Sequence, residues 1–207
     1  MTKAVTTVGA FTGCFDSVID IALDKNGAMW GTMFSGLAQI DKGTAACTVV
    51  ANGSYPNSLS FVPEGTVDPN EEALVGYEGA TYVRIDKVTG MKTTIGSLGN
   101  QGYSSSGDMV SLIAGGSYLT VNGPNCFDCI VEVDPTTGAL VNVIGPLGFG
   151  SVFGLAYWAG VAYGFDDAGE LFQIDITTGV STLIPIPNAP AFLSFWGAGS
   201  STAAPHM

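Results

Sequence analysis

The pattern D-x-x-T followed by Gly or Ala occurs four times, beginning at Asp41, Asp86, Asp134 and Asp175, at spacings of 45, 48 and 41 residues. Periods in this range belong to folds built by repetition. Each Asp ends an alternating apolar run, in "LAQID", "YVRID", "IVEVD" and "LFQID". A carboxylate there can accept backbone N–H groups across a tight turn, and a Gly four residues on supplies the positive φ that closes a short hairpin. The repeated element therefore reads as a hairpin turn, and its Asp residues as turn formers rather than catalysts.

Two further strand-like runs precede the run that ends in each Asp, and one follows the turn. In the first unit "VIDIALD" and "AMWGTM" are joined by "KNG", then come "LAQID" and "CTVVAN". Four strands per unit of about 45 residues is the pattern of a β-propeller blade. The chain is expected to be all-β and a single propeller domain over 1–207, with units at about 15–53, 54–98, 107–147 and 151–187. The N-terminal "AVTTVGAF" (4–11) matches a fourth strand, and "AFLSFWG" (191–197) matches a first strand. Four full antiparallel blades plus a fifth, reduced blade made from the two termini is the expected ring. A four-bladed ring with the terminal strands packed elsewhere is the alternative. Trp30, Trp158, Trp196, Tyr82, Phe61, Phe165 and Phe172 lie in or beside strands and are expected mostly to fill blade interfaces.

Apolar residues make up 46% of the chain and charged ones 12%, yet Gly, Asp or Asn interrupts every hydrophobic stretch before a membrane span could form. Eighteen acidic against six basic residues give a formal charge of −12, which repels phosphate backbones and anionic lipid and makes nucleic acid an unsuitable partner. Cations, neutral sugars and proteins stay open. The four cysteines are Cys14, Cys47, Cys126 and Cys129, the last two in "NCFDC". A zinc site needs two more ligands, but no second CxxC exists and the lone His206 lies in the final "PHM". A thioredoxin-type motif belongs between a strand and a helix, and this one follows "TVNGPN" in a strand-rich setting. The start "MTKAVTTVG" has no apolar signal core, which fits either a cytoplasmic chain or the mature part of an exported one.

The runs "TGCFDSVIDIALDKNGAMWGT", "SLSFVPEGTVDPNEEALVGYEG", "YVRIDKVTG" and "LSFWGAGSSTAAP" resemble a group of uncharacterised propeller-like domains in exported proteins of myxobacteria and related bacteria. The resemblance spans nearly the whole chain and carries no known active site. It implies the fold, a secreted or cell-surface location, and cystines in place of thiols. Cys126 and Cys129 would then brace one loop. Cys14 and Cys47 are harder to join. Their strand positions put them about 17 Å apart at the usual rise, against a limit near 7 Å for a disulfide; a bond between them is expected all the same, with the register shifted or one cysteine displaced by an irregular ring closure.

Alternating strand direction gathers the loops between units, and those between second and third strands, at one end of the ring, here the top. Asp16, Ser17, Asn57, Ser58, Asp108 and Ser151 lead into the innermost strands there. Asp16 and Asp108, with nearby amide and hydroxyl oxygens, form the donor set of a Ca2+ site. The candidate ligand set is Asp16, Tyr55, Asn57, Tyr103 and Asp108, with Tyr55, Tyr103 or Phe149 offering a sugar an apolar face. The competing reading is that these residues cap strands and hold waters. Asp68, Glu71 and Glu72 in "PEGTVDPNEE" lack the EF-hand spacing and read as a solvated loop. The sole arginine, Arg84, sits away from the axis. Three functions follow. The first is a non-enzymatic extracellular binding or adhesion module for a glycan or protein. The second is a glycoside hydrolase or lyase using Asp16 and Asp108 as paired carboxylates. The third is a structural repeat that self-associates through unpaired strand edges.

Overall fold

A computed structural model describes residues 4–205, so His206 lies outside the described residues. The chain forms four four-stranded antiparallel sheets, each meandering in sequence order. The first sheet holds β1 (Val18–Leu23), β2 (Met29–Met33), β3 (Gly36–Ile40) and β4 (Cys47–Asn52). The second holds β5 (Ser60–Val62), β6 (Ala73–Glu78), β7 (Thr81–Ile85) and β8 (Lys92–Ser97). The third holds β9 (Ser104–Ser111), β10 (Ser117–Gly123), β11 (Cys126–Val133) and β12 (Leu140–Pro146). The fourth holds β13 (Val152–Trp158), β14 (Val161–Asp166), β15 (Leu171–Ile174) and β16 (Ser181–Ile184). Together they make a four-bladed propeller with β1, β5, β9 and β13 innermost.

The repeated turn forms as its chemistry requires. The Oδ1 atoms of Asp41 and Asp86 each accept two backbone N–H bonds from two and three residues on, at 2.7–2.9 Å. Asp134 and Asp175 accept the N–H two residues on, from Thr136 at 2.7 Å and Thr177 at 2.8 Å. Gly90, Gly138 and Gly179 take φ of 70°, 68° and 75°, and Ala45 takes 59° in the first blade. These bonds, preceded at Asp175 by the larger effect of the Thr177 hydroxyl donating to the carboxylate, hold all four carboxyls below the usual aspartate range.

Apolar faces of successive blades bury one another. Trp30 and Leu37 pack with Leu59, Phe61 and Leu74 between the first and second blades. Val75, Tyr77 and Tyr82 pack with Met109, Leu119 and Val131 between the second and third. Val110 and Ile130 pack with Leu155 and Phe172 between the third and fourth. Each such large side chain removed from water contributes about 1.5–3 kcal/mol.

The termini depart from expectation. Residues 4–11 and 191–197 belong to no sheet, so the fifth reduced blade is not formed and the four-bladed alternative describes the ring. The N-terminal segment instead runs along the first blade's outer edge, where Thr12 bridges Ala46 in parallel and the N–H of Cys47 bonds the Thr12 carbonyl at 2.7 Å. That path brings Cys14 past Cys47 before the chain turns inward. The two form a disulfide with Cα atoms 5.2 Å apart, so the 17 Å inferred from strand register is corrected. Cys126 and Cys129, both in the first half of β11, form the second disulfide.

Candidate functional site

Asp20 of β1 and Asp108 of β9 are carboxylates on innermost strands, and each clasps its blade to the next. Asp20 accepts the N–H of Ile21 at 2.8 Å and, across the blade boundary, that of Leu59 at 2.6 Å. Asp108 repeats the arrangement with Met109 at 2.6 Å and Leu155 at 2.7 Å. Both side chains are wholly buried and interact with each other. Burial pushes both carboxyls well above their usual range, and the charge of Asp108 raises Asp20 further.

The channel these residues line is filled by the chain's own C-terminus. Phe195 donates its N–H to the Asp166 carbonyl at the top, and the chain then descends parallel to β1, bridging Leu23 at Ser201. Ala198 N–H bonds the Asp108 carboxylate. Ser200 Oγ accepts the Tyr157 N–H at 3.0 Å, and Ser201 Oγ donates to the Asp24 carbonyl at 2.9 Å. At the bottom the Thr202 hydroxyl donates to the buried Glu72 carboxylate, and the Thr202 carbonyl accepts the Ile113 N–H. The sequence Gly-Ala-Gly permits this passage. A Cβ on Gly197 would stand 2.5 Å from Asp20 Oδ1, and one on Gly199 would stand 2.7 Å from the Ile21 carbonyl oxygen.

Above the plug the channel mouth is a shallow aromatic cleft of about 200 Å³ lined by Ile19, Phe34, Asn57, Phe153 and Trp196. Phe153 and Trp196 stack at 6.1 Å between ring centroids, while Phe34 and Trp196 stand 58% and 57% exposed. Ile19, Phe34 and Asn57 also line a wider groove that runs outward past Ser54, Tyr55, Glu78 and Lys92. There the Lys92 ammonium is held by Glu78 and by the Ser54 carbonyl at 2.8 Å.

Of the candidate ligand residues named from the sequence, Asn57 alone reaches the mouth, and Tyr55 lines the outer groove. Tyr55 is buried, with its hydroxyl bonded to the Gly90 carbonyl at 2.8 Å, so its ring is a structural wall. Tyr103 packs over Gly123 in the core between the second and third blades. Phe149 stacks on Phe172 at 4.0 Å. Asp16 turns to the β2–β3 loop, accepting the Ser35 hydroxyl at 2.7 Å, and is not brought together with Asp108. No cluster of three metal-ligating side chains forms among the described residues. Asp68 pairs with Arg84, Glu71 with Lys87, and Glu72 with the Lys25 N–H, each within hydrogen-bonding distance. Acid–base chemistry by Asp16 and Asp108 has no geometry to act through, because every oxygen of Asp108 is engaged beneath the plug.

Sequence reasoning missed Asp20, Phe34, Phe153 and Trp196. An acid inside the apolar run "VIDIAL", matched by "GDMV" two units on, was the available signal for the axial pair. Among the aromatics assigned to the core, Trp30, Phe61, Tyr82 and Phe172 are buried, whereas Trp158 and Trp196 are exposed.

No known family model matches the chain, and no curated protein matches it. Solved structures do. A symmetrical protein from work on de novo evolutionary emergence aligns at a TM-score of 0.55 and 15% identity, over 92% of this chain and 82% of its own. A proposed exo-β-1,3-galactanase from Bifidobacterium bifidum s17 aligns at 0.57 and 12%, over 90% and 83%. The glutaminyl cyclase of Myxococcus xanthus aligns at 0.50 and 14%, over 79% and 67%. At these identities the likeness is one of fold, and the fold it supports is the propeller.

Proposed function

We propose that this protein is a non-enzymatic binding module of the cell exterior that takes a neutral glycan at the mouth above its plugged axis. The observation that carries this reading is the exposed pair Phe34 and Trp196, set with Phe153 around the amide of Asn57 on rigid blade ends. Aromatic faces stack against the apolar face of a sugar ring, and an amide can both donate to and accept from its hydroxyls. A ligand of this kind suits the charge. The formal −12 disfavours anions, and the one ammonium in the groove is already neutralised by Glu78. Two disulfides fit an oxidising, extracellular setting. No described helix is long and apolar enough to cross a membrane.

The test is an array of neutral glycans followed by calorimetric titration of the best binder. Phe34→Ala and Asn57→Ala are each expected to weaken binding by about tenfold, the effect of losing one stacking or hydrogen-bond contact. Binding unchanged by both variants, or no binding to any glycan with or without calcium, overturns the proposal.

A further inference from the structure

Three of the four blade junctions bury an apolar cluster, while the junction between the fourth and first blades has none among the described residues. The burial of the flanking strands reflects this. β6 and β10 are buried along nearly their whole length, whereas β14 alternates, leaving Val161, Tyr163 and Phe165 half-buried on one face. On the other side Val18, Ile19, Ile21 and Leu23 of β1 are likewise half-buried. Into this junction project Phe11 and Trp196, 48% and 57% exposed, on either side of a cleft floored by Val18–Ile21.

Both terminal segments pass this junction, the C-terminal run at the axis and the N-terminal one at the outer edge of the first blade. Elsewhere the D-x-x-T-G turn of each blade rests on the fourth strand of the blade before it. A Cβ on Gly96 of β8 would meet the Thr137 carbonyl oxygen, and one on Gly145 of β12 would meet that of Thr178. For the first blade the same place is taken by Gly9, on which a Cβ would stand 3.4 Å from the Thr44 carbonyl oxygen, and the Thr-Thr-Val-Gly at 6–9 parallels the Thr-Thr-Ile-Gly at 93–96. At the axis, Gly197 and Ala198 lie between Asp20 of β1 and Gly154 of β13. The C-terminal run forms one isolated bridge, with Leu23, and joins no sheet. The inner and outer positions are thus occupied, with no second and third strand between them.

We propose that this junction is a docking site for a two-stranded antiparallel β-hairpin from a partner protein, which pairs with the outward edge of residues 194–200 and reaches the N-terminal segment. The repeat itself defines the occupant. In this chain second and third strands run four to eight residues, with short connections and apolar side chains on the faces that meet neighbouring blades. A partner hairpin of that kind would bury Ile19, Ile21, Phe11 and Phe165 by the strand-addition mode of recognition. A second copy of this chain has no such hairpin to lend, because each of its own is paired on both sides. The site adjoins the glycan mouth and shares Ile19 and Trp196 with it, whereas Phe34 and Asn57 line the mouth alone and Phe11 the junction alone.

The test supplies the hairpin directly. A copy of residues 161–174 (β14, its turn and β15) is fused through a flexible linker after residue 207 of the intact chain, with a scrambled copy as control. The native copy is expected to raise the unfolding midpoint by about 5 °C or more over the scrambled one and to slow amide exchange at 194–200. The free 161–174 peptide is expected to bind the unfused protein saturably. Phe11→Asp should weaken that binding at least tenfold and leave glycan binding unchanged. Equal midpoints for native and scrambled fusions, or peptide binding indifferent to Phe11→Asp, overturns the proposal.

Discussion

Asp108→Ala is expected to lower the unfolding free energy by about 3 kcal/mol or more, measured by urea denaturation at neutral pH. The loss comes from the N–H groups of Met109, Leu155 and Ala198, which lose their acceptor in a site closed to water. A buried donor left unpaired costs about 1–3 kcal/mol. Relief of the repulsion between Asp20 and Asp108 offsets part of this, so a loss near the lower bound at pH 7 should grow at acid pH, where the wild-type pair is protonated. A loss below about 1 kcal/mol at every pH would mean that the axial clasp does not hold the blades together.

The same pair sets an unusual pH dependence. The folded-state pKa of both carboxyls lies above the unfolded value of about 3.9, so the folded chain binds more protons in the window between them. Stability therefore falls as pH rises from about 4 through the folded pKa. The turn aspartates behave in the opposite sense. Their pKa is lowered, so their contribution is present above about 4 and is lost as pH falls through the folded values. Thermal midpoints should thus peak in mildly acidic buffer. Asp108→Asn should flatten the decline toward neutrality, because one of the two buried titrating groups is gone. A decline of equal steepness in the variant would assign it to general repulsion among the chain's excess negative charges.

Gly197→Val carries the other large effect. Its branched side chain would be forced against the Asp20 carboxylate and the Ile19 carbonyl oxygen. Overpacking of this kind costs about 1–3 kcal/mol if the run stays in place. Expulsion of the run costs more, since Ala198, Ser200 and Thr202 then give up their bonds to Asp108, Tyr157 and Ile113. Urea denaturation with limited proteolysis distinguishes the two: cleavage after Phe195 or Trp196 in the variant alone marks expulsion. Wild-type stability and protease resistance in Gly197→Val would show that the passage is loose.

The blades were legible in the sequence because their determinants are local. A D-x-x-T-G turn with a carboxylate accepting its own backbone N–H groups is written within five residues, and each copy confirms the others. The axis was not legible, because its determinants are distant in the chain. Asp20 is bonded by Leu59, Asp108 by Leu155, and both face a run that begins near residue 195. Nothing local to "VIDIAL" states that its acid will be buried beside another. The disulfide of Cys14 and Cys47 escaped strand counting for a related reason, since the N-terminal segment travels along a blade edge before entering the ring. Trp196 resembled the core Trp of a first strand. It stays exposed because it lies at the open channel mouth, stacked on Phe153.

Amide hydrogen exchange over residues 195–204 tests the plugged axis most directly, because this segment belongs to no sheet and would exchange within seconds if it were a loose tail. Protection of Ala198 to Thr202 approaching that of β9 is expected, and it should vanish in Asp108→Ala. Exchange of these amides as fast as those of the exposed N-terminal residues 4–10 would contradict an axis closed by the C-terminus, and with it the mouth built on top of that closure.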